Sequence, residues 1–459
     1  MILVASLTFY GFWRPEFLLV MLVSTGTDFL VARQIEANDD DRVRWRWLLL
    51  SLSINLSLLF YFKYLFFFLD NAVATLHFFG YRDIQAPALN IALPLGISFY
   101  TFQTISYTVD VYRKFIRAEK DFVLYGCFVT FFPQLVAGPI LRGSELLGQL
   151  FARPQFRLET IVSGLRRILF GLFLKVVLAD NIAPLVDSGF DQPVAHLSAI
   201  DVLTLAFLFG FQIYFDFSAY SHIAIGSARL MGISFPENFN FPYMASSPRE
   251  FWRRWHISLS SWIRDYLYLP LLGVKVRDRS VDGLAVVAEE HGKNNRHPLL
   301  ALFLTWAIMG FWHGANWTFV LWGLFHAACV AIYRAIEAPV TALPRAVRVL
   351  GGWTITLPLM MLAWILFRAQ SVRAAIEMYG KLFSMQEWLY LGMRENTYLV
   401  AAFVFVSMTL CYGIHEYAIH WLREHKWLSF LGETFVMGIT TALVFVFLRP
   451  INQFIYFQF

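Results

Sequence analysis

Apolar runs long enough to cross a bilayer recur along nearly the whole of this chain. A spanning helix needs about 17 to 25 mostly apolar residues. Such runs lie near 45–69, 91–109, 161–179, 199–232, 299–333, 351–367, 396–420 and 433–448, and shorter ones at 1–13, 16–31 and 122–141 fit spans, half-spans or re-entrant segments. Because 58% of the residues are hydrophobic and 15% are charged, we expect an all-α, polytopic membrane protein. A single domain over 1–459 would contain roughly ten to eleven membrane segments.

Other sequence features exclude several classes of protein. The first 31 residues lack the basic leader and cleavage site of a signal peptide, so they are predicted to be retained helices. The three cysteines lie far apart in apolar sequence without metal-ligand spacing, so no metal site is predicted. No phosphate-binding loop, dinucleotide-binding fingerprint or nucleophile elbow is present. Basic residues are confined to membrane flanks, so no nucleic-acid partner is predicted.

The segment 235–275 differs from the lipid-like sequence around it. Pro236 and Pro242 exclude regular helix at its beginning, and Ser247 followed by Pro248 predicts a new helix start. The pattern then predicts a helix from Arg249 to Tyr268 with aromatic and charged residues interleaved. At helical spacing four of its residues would share one face: Trp252, His256, Ser260 and Ile263.

Charge places this segment relative to the bilayer. Residues 249–279 contain seven arginines and lysines against three acidic residues. The positive-inside rule therefore predicts a cytoplasmic location, and the same cations also suit anionic lipid headgroups. We expect 235–275 to lie at, or dip into, the cytoplasmic interface and to lead into a solvated hydrophilic loop at 274–297.

His313 is the most unusual titratable residue of the chain. It lies in the predicted span 299–333, within a stretch from His297 to Tyr333 that contains no Asp, Glu, Lys or Arg. A histidine at membrane depth is costly unless it is paired or hydrated, so it indicates function. Gly310 and Gly314 flank it, and we expect them to free the backbone from helix geometry beside a cavity. A structural histidine is the alternative.

His256 and Asp216 are the next candidates. A buried imidazole near a hydroxyl can act as a general base, and a second imidazole can orient it or hold the acceptor. Asp216 is the only charged residue between Asp201 and Arg229, so it should face protein or a water-filled cavity. Its expected partner is a histidine, Arg253 or a bound substrate. A structural carboxylate bonded to nearby backbone or hydroxyl groups fits equally well.

Several motifs, in order along the chain, resemble the membrane-bound O-acyltransferase family and its bacterial alginate O-acetyltransferase branch. The motif around the first histidine is Phe251-Trp252-Arg253-Arg254-Trp255-His256-Ile257-Ser258-Leu259-Ser260, followed by Trp262-Ile263-Arg264-Asp265-Tyr266-Leu267-Tyr268. The others are Leu93-Pro94-Leu95-Gly96-Ile97-Ser98-Phe99-Tyr100, Phe132-Pro133-Gln134-Leu135-Val136-Ala137-Gly138-Pro139, Tyr214-Phe215-Asp216-Phe217-Ser218, Pro236-Glu237-Asn238-Phe239 and Gly310-Phe311-Trp312-His313-Gly314-Ala315. Together they cover most of the chain and are specific.

The resemblance implies helices around a central funnel or tunnel, with His313 catalytic and His256 as its companion. It implies transfer of an acetyl group from a cytoplasmic thioester, acetyl-coenzyme A or an acyl carrier protein, across the bacterial inner membrane. The acceptor would be an exported polysaccharide, reached through a periplasmic acetyltransferase partner. The branch usually has one more hydrophobic segment before the stretch matching Ala5 to Trp13, so this chain would begin late or lack one helix. Its loop at 274–297 is also longer than usual.

We therefore expect a membrane O-acyltransferase without a permanently bound cofactor. His313 would be the general base and His256 would position a substrate or stabilise developing charge. Six residues are predicted to contact substrate or to support the histidines: Asp216, Ser218, Trp252, Arg253, Trp312 and Asn316. The alternatives are a D-alanyl transfer protein with a carrier-protein donor, as the resemblance allows, and a transporter of the acyl donor that performs no chemistry.

Overall fold

The structure, a computed structural model, describes the chain except residues 90, 153–156, 280–285, 290–296, 385–387, 389, 419–423, 451–453 and 455–459. Its α-helices are Ile2–Trp13, Glu16–Ala37, Asp41–Leu59, Leu65–Phe78, Ile97–Tyr112, Phe122–Thr130, Gly143–Phe151, Leu158–Leu172, Asp180–Phe190, Ala199–Leu230, Pro248–Arg254, Ile257–Ile263, Leu269–Leu271, Pro298–His313, Trp317–Thr341, Arg345–Arg368, Val372–Lys381, Glu395–Gly413 and Lys426–Phe447. Wider π-helical turns occupy Phe60–Tyr64, Phe173–Ala179, Arg264–Tyr268 and Ile414–Ala418, and short 3-10 turns occupy Val194–His196 and Pro242–Met244.

The helices confirm a polytopic membrane protein. Within the described residues, eight helical stretches are long and apolar enough to cross a membrane, and Ile2–Trp13 and Pro298–His313 are shorter apolar helices. Two predicted segments differ from this pattern. The run at 91–109 becomes the buried 16-residue helix Ile97–Tyr112, and of the stretch 122–141 only Phe122–Thr130 is α-helical. Both are too short to span a bilayer.

The predicted hydrophilic loop at 274–297 contains the only strands that the described ranges include. Lys275–Arg279 and Val286–Glu289 pair antiparallel, with Lys275 opposite Glu289 and Arg279 opposite Val286. Nine residues of the predicted hydrophilic loop therefore adopt extended backbone, which valine favours. The rest of the predicted loop, 280–285 and 290–296, lies outside the described residues.

Ala199–Leu230 is the most deeply buried of the spanning helices. Buried residues make up 67% of its most apolar window, against 6% for Trp427–Phe447. A capping box begins it, because the Ser198 hydroxyl accepts from the Asp201 amide (3.2 Å) and the Asp201 carboxylate accepts from the Ser198 amide (2.9 Å). It packs against Leu158–Leu172 through glycines: a Cβ on Gly226 would lie 2.7 Å from the carbonyl oxygen of Gly164. This helix carries Asp216 and Ser218 through the protein interior.

Two of the predicted helical segments are broken in the structure, and each break lies at a candidate histidine. The predicted helix from Arg249 to Tyr268 ends at Arg254 and resumes at Ile257, with His256 between them. The predicted span 299–333 ends at His313 and resumes at Trp317. The expected helical face shared by Trp252, His256, Ser260 and Ile263 therefore does not exist.

Candidate active site

His313 is the last residue of the helix Pro298–His313 and is buried, with 6% of its surface exposed. The next residue, Gly314, is extended (φ −162°, ψ 149°), so the chain leaves helix geometry directly after the imidazole. The following helix begins at Trp317, where the Asn316 side chain accepts a hydrogen bond from the amide of Thr318 (3.1 Å). Asn316 therefore acts as an N-cap that ends the break.

The glycines beside His313 are required mainly by close packing. A Cβ on Gly310 would lie 2.1 Å from the carbonyl oxygen of Phe319, and one on Gly323 would lie 2.1 Å from that of Trp306. Gly314 leaves helix geometry as expected, whereas Gly310 remains helical, so that part of the prediction is wrong. Small residues on both sides let the helices before and after the break pack backbone against backbone.

Aromatic rings surround the His313 imidazole. Its ring centroid lies 5.0 Å from Trp312, 5.0 Å from Trp322 and 5.3 Å from Phe367. Its electrostatic neighbours are His256, His326 and Lys63. The structure therefore brings the two predicted histidines together, and it adds a third imidazole and a cation to the site.

Trp312 connects the two helix breaks. Its ring stacks on Phe102 (4.9 Å, 15°), and Phe102 stacks on Trp262 (3.9 Å, 3°). The indole N–H of Trp262 also donates to the carbonyl oxygen of Phe102 (2.9 Å). Since Trp262 lies in the helix that follows His256, this stack fixes the His313 segment relative to the His256 segment.

His256 has left-handed backbone (φ 41°, ψ 57°), which is unusual for a residue with a side chain. The carbonyl oxygen of Asn238 accepts from the amide of Ile257 (2.9 Å), and the Asn238 side-chain oxygen lies 3.2 Å from Nδ1 of His256. The ring packs edge-on against Phe217 (4.6 Å). Contacts with a distant loop thus hold this backbone in a strained form, a feature that is common at functional sites.

The surroundings of Asn238 determine the tautomer of His256. The backbone N–H of Ser258 can only donate, and it lies 3.2 Å from the same Asn238 atom, which must therefore be the amide oxygen. That oxygen can only accept, so Nδ1 of His256 donates to it. In the neutral ring, Nε2 consequently carries the lone pair.

His326 is the third imidazole of the histidine cluster and is buried. The indole N–H of Trp252 donates to Nδ1 of His326 (3.4 Å), and the His326 ring lies 4.7 Å from Trp322. Trp322 also contacts His313. Trp252 therefore supports the site through His326 and Trp322.

Asp216 forms an ion pair that the sequence did not predict. Its carboxylate lies 2.6 Å from Nζ of Lys175, which also pairs with Asp180 at 2.9 Å, and both Asp216 and Lys175 are 2% exposed. The expected partners, a histidine or Arg253, do not form this ion pair. Ser218 is buried two residues further along the same helix. The contacts of Asp216 support a structural role for this acid.

A cavity of about 350 Å³ lies beside the histidines, and we call it the arginine cavity. It is lined by Arg249, Trp252, Arg253, Ile257, Ser260, Ser261, Ile263, Arg264, Tyr268, Leu302, Thr305, Trp306, Met309, Val330 and Arg334. Three of its arginines have protein partners: Arg249 with Glu337 (2.6 Å), Arg264 with Asp265 (2.7 Å) and Arg334 with the Tyr268 hydroxyl (3.0 Å). Within the described part of the chain, Arg253 forms no ion pair.

Glu250 stabilises the turn that precedes the short helix Pro248–Arg254. Burial raises the pKa of its carboxyl, but hydrogen bonds from the backbone and hydroxyl of Ser246 and from Arg254 outweigh burial and hold the pKa below its ordinary value.

Among the described residues, no group of three or more His, Cys, Asp or Glu side chains could hold a metal ion.

Lys63 is the site residue that the sequence analysis missed. Its ammonium group donates to the carbonyl oxygens of Trp312 (2.7 Å) and His313 (3.1 Å). It is the only charged residue between Arg46 and Asp70. The signal was therefore present, because the argument applied to Asp216 applies equally to a lone lysine inside an apolar run.

Buried histidines at two helix breaks lie beside a cavity lined by arginines, and the surrounding helices are those of a multi-pass membrane protein. Residues 116–371 match the MBOAT, membrane-bound O-acyltransferase, family. The chain belongs to this family and is an O-acyltransferase.

Curated relatives match over most of the chain. Probable alginate O-acetylase AlgI of Azotobacter vinelandii is 36% identical over 428 residues, covering 91% of this chain and 80% of that protein. Probable alginate O-acetylase AlgI of Pseudomonas aeruginosa is 38% identical over 416 residues (88% and 75%). Peptidoglycan O-acetyltransferase of Helicobacter pylori is 35% identical over 404 residues (82% and 72%).

Proposed function

We propose that this enzyme transfers an acetyl group from acetyl-coenzyme A in the cytoplasm, across the bacterial inner membrane, to a hydroxyl acceptor on the other side. The acceptor is an exported polysaccharide or an extracytoplasmic acetyltransferase that passes the group on to one. The names of the relatives, which are O-acetylases of alginate and peptidoglycan, support an acetyl group and a polysaccharide.

The position of the arginine cavity along the His313 helix carries this proposal. Thr305 and Met309, eight and four residues before His313, both line the cavity. Residues four apart lie on one face of a helix, so the cavity follows the face that leads to His313. A phosphorylated thioester bound by the arginines would extend its acyl end toward the histidines.

The reaction follows from ordinary acyl-transfer chemistry. His313 takes the proton from the acceptor hydroxyl as its oxygen attacks the thioester carbonyl. The C–S bond then breaks, the thiolate leaves, and the proton on His313 passes to the sulfur. His256, with the lone pair on Nε2, accepts a hydrogen bond from a substrate group or from His313 and orients it. The aromatic rings around His313 exclude bulk water, which limits hydrolysis of the thioester.

A vesicle experiment tests the proposal. Protein in sealed vesicles receives radiolabelled acetyl-coenzyme A on the face of the arginine cavity and a hydroxyl-bearing oligosaccharide on the other face. The wild type should label the oligosaccharide, and His313→Ala should lower the rate by about 10²- to 10⁴-fold, the usual contribution of a general base. His222→Ala is the matched control, since the half-buried His222 ring packs edge-on against Phe170 of the helix Leu158–Leu172.

Each alternative gives a different result. Equal labelling by His313→Ala, with donor and acceptor supplied on both faces, would reject the catalytic role and favour a transporter of the donor. Labelling from a thioester-loaded acyl carrier protein, but not from acetyl-coenzyme A, would favour the D-alanyl-transfer type of donor.

A further inference from the structure

The helix that presents His313 ends at a residue buried in the protein, where its last carbonyl groups need partners. In an α-helix the final four carbonyls have no intrahelical donor, and an unsatisfied carbonyl in a bilayer costs several kcal/mol. Lys63 supplies the donor from another segment, with Nζ 2.7 Å from the carbonyl oxygen of Trp312 and 3.1 Å from that of His313. A cation at a helix C-terminus also interacts favourably with the helix dipole.

The backbone around Lys63 is itself modified. The long helical stretch Asp41–Phe78 widens into a π-helical turn at Phe60–Tyr64, which contains Lys63. Such turns are rare and occur frequently at functional sites. The widening shifts the register of the helix at the position from which Lys63 reaches the break after His313.

Residues after Lys63 hold the other parts of the same break. Tyr64 stacks on Phe311 (4.5 Å, 19°), and Phe67 lies 5.5 Å from Trp317. The indole N–H of Trp317 donates to the side-chain oxygen of Asn71 (2.9 Å). The stretch 63–71 therefore contacts both the residues before His313 and the first residue of the helix after it.

The Lys63 side chain ends beside the helix break after His313. Nζ lies 5.7 Å from the Trp312 ring centroid, and none of the described carboxylates forms an ion pair with it. Lys63 is also an electrostatic neighbour of the His313 imidazole. It does not line the arginine cavity, so its contacts point to the orientation of His313 and not to donor binding.

We propose that Lys63 is a positioning residue for the acyl-transfer step. It fixes the backbone of Trp312 and His313 through two hydrogen bonds. This proposal rests on the proposed role of His313 as the general base. A displacement of a catalytic group by about 1 Å can cost on the order of 100-fold in rate. Loss of Lys63 should therefore lower kcat and leave the KM for the donor unchanged.

The test compares four variants of the full chain in vesicles: Lys63→Met, Lys63→Gln, Lys63→Arg and the control Lys381→Met. Lys381 also donates to a carbonyl oxygen, that of Ala195 (3.0 Å), but on an exposed surface away from the site. We expect Lys63→Met to lower kcat by about 10- to 100-fold with donor KM within about two-fold of wild type. Arginine, which keeps charge and donors, should restore most of the rate, and glutamine should be intermediate.

Two readouts separate this inference from the proposed function. The folded fraction is measured by size-exclusion chromatography, so that kcat refers to folded protein only, and His313→Ala is assayed in parallel. Full activity of His313→Ala would reject the proposed function itself. An inactive His313→Ala together with wild-type kcat in folded Lys63→Met would overturn the role of Lys63 alone. If the methionine variant does not fold, wild-type kcat in folded Lys63→Gln overturns it in the same way.

Discussion

The side-chain oxygen of Asn238 lies 3.2 Å from Nδ1 of His256 and fixes the proton on that nitrogen. The same oxygen accepts from the Ser258 hydroxyl (2.9 Å), and the Asn238 amide nitrogen donates to the Ser221 hydroxyl (3.0 Å). One asparagine therefore connects three segments and holds the imidazole in one tautomer. A ring whose other nitrogen is bonded to a fixed partner has its orientation and basicity set by that partner.

Replacing Asn238 should lower the rate of transfer without loss of the donor site. We expect Asn238→Ala to reduce kcat by about 10- to 100-fold, the range known for residues that orient metal-bound histidines. Steady-state kinetics on purified protein measure this. Asn181→Ala is the control, because the Asn181 amide donates to carbonyls of its own helical segment, those of Val176 and Val177. Wild-type kcat in folded Asn238→Ala would contradict the role assigned to the tautomer.

The ion pair between Lys175 and Asp216 predicts a loss of stability. Asp216→Ala removes the carboxylate that lies 2.6 Å from the buried Lys175 ammonium, and breaking a buried pair on one side costs about 3–5 kcal/mol. The double variant Lys175→Met/Asp216→Leu should have an unfolding temperature closer to that of the wild type than either single variant has. Thermal unfolding in detergent tests this. Normal stability with lost activity in Asp216→Ala would instead place the acid in the chemistry.

Close packing at the break after His313 predicts that Gly323→Ala is not tolerated. The new Cβ would lie 2.1 Å from the carbonyl oxygen of Trp306, and both backbones would have to move apart. We expect loss of folded protein, or folded protein with strongly reduced kcat. Gly26→Ala is the matched control in another spanning helix, since a Cβ added there would meet no atom within 4 Å. Normal yield and kcat in Gly323→Ala would contradict the packing.

The sequence predicted the class of fold and both central histidines because these depend on local patterns. A charge-free apolar stretch is visible in the sequence, and so is a lone histidine inside it. The resemblance of the motifs to a known family was confirmed by the match over residues 116–371. The assignment of roles to His313 and His256 stays a prediction.

The sequence did not predict the helix break at His256 or the partners of the charged residues. The left-handed residue His256 contacts Asn238, which lies 18 residues away, and the carbonyl oxygen of His313 accepts from Lys63, which lies 250 residues away. Similarly, Asp216 pairs with Lys175 from a neighbouring helix. Helical periodicity predicts which residues are neighbours within one helix. It does not predict contacts between residues of different helices.

Acid should destabilise the enzyme through Glu250. Hydrogen bonds from Ser246 and Arg254 hold the pKa of this carboxyl below its ordinary value of 4.5, against the effect of burial. Its stabilising contribution is therefore present above pH 4.5 and is lost as the pH falls through the lower folded-state pKa. The decrease in unfolding temperature from neutral to acidic pH should be larger in the wild type than in Glu250→Gln. An equal decrease in both proteins would contradict this.

The arginine cavity makes a prediction about donor affinity. Arg249, Arg264 and Arg334 each have a protein partner, whereas Arg253 forms no ion pair within the described residues. Arg253 is therefore the cation best able to bind a phosphate of the donor. Hydrogen bonds to charged groups contribute about 1.5–3 kcal/mol, so Arg253→Gln should raise the KM for acetyl-coenzyme A by roughly 10-fold or more with little change in kcat. Arg373→Gln removes the same charge from an exposed i,i+4 pair and should change neither constant. A donor KM that is equal in both variants would remove Arg253 from the donor site.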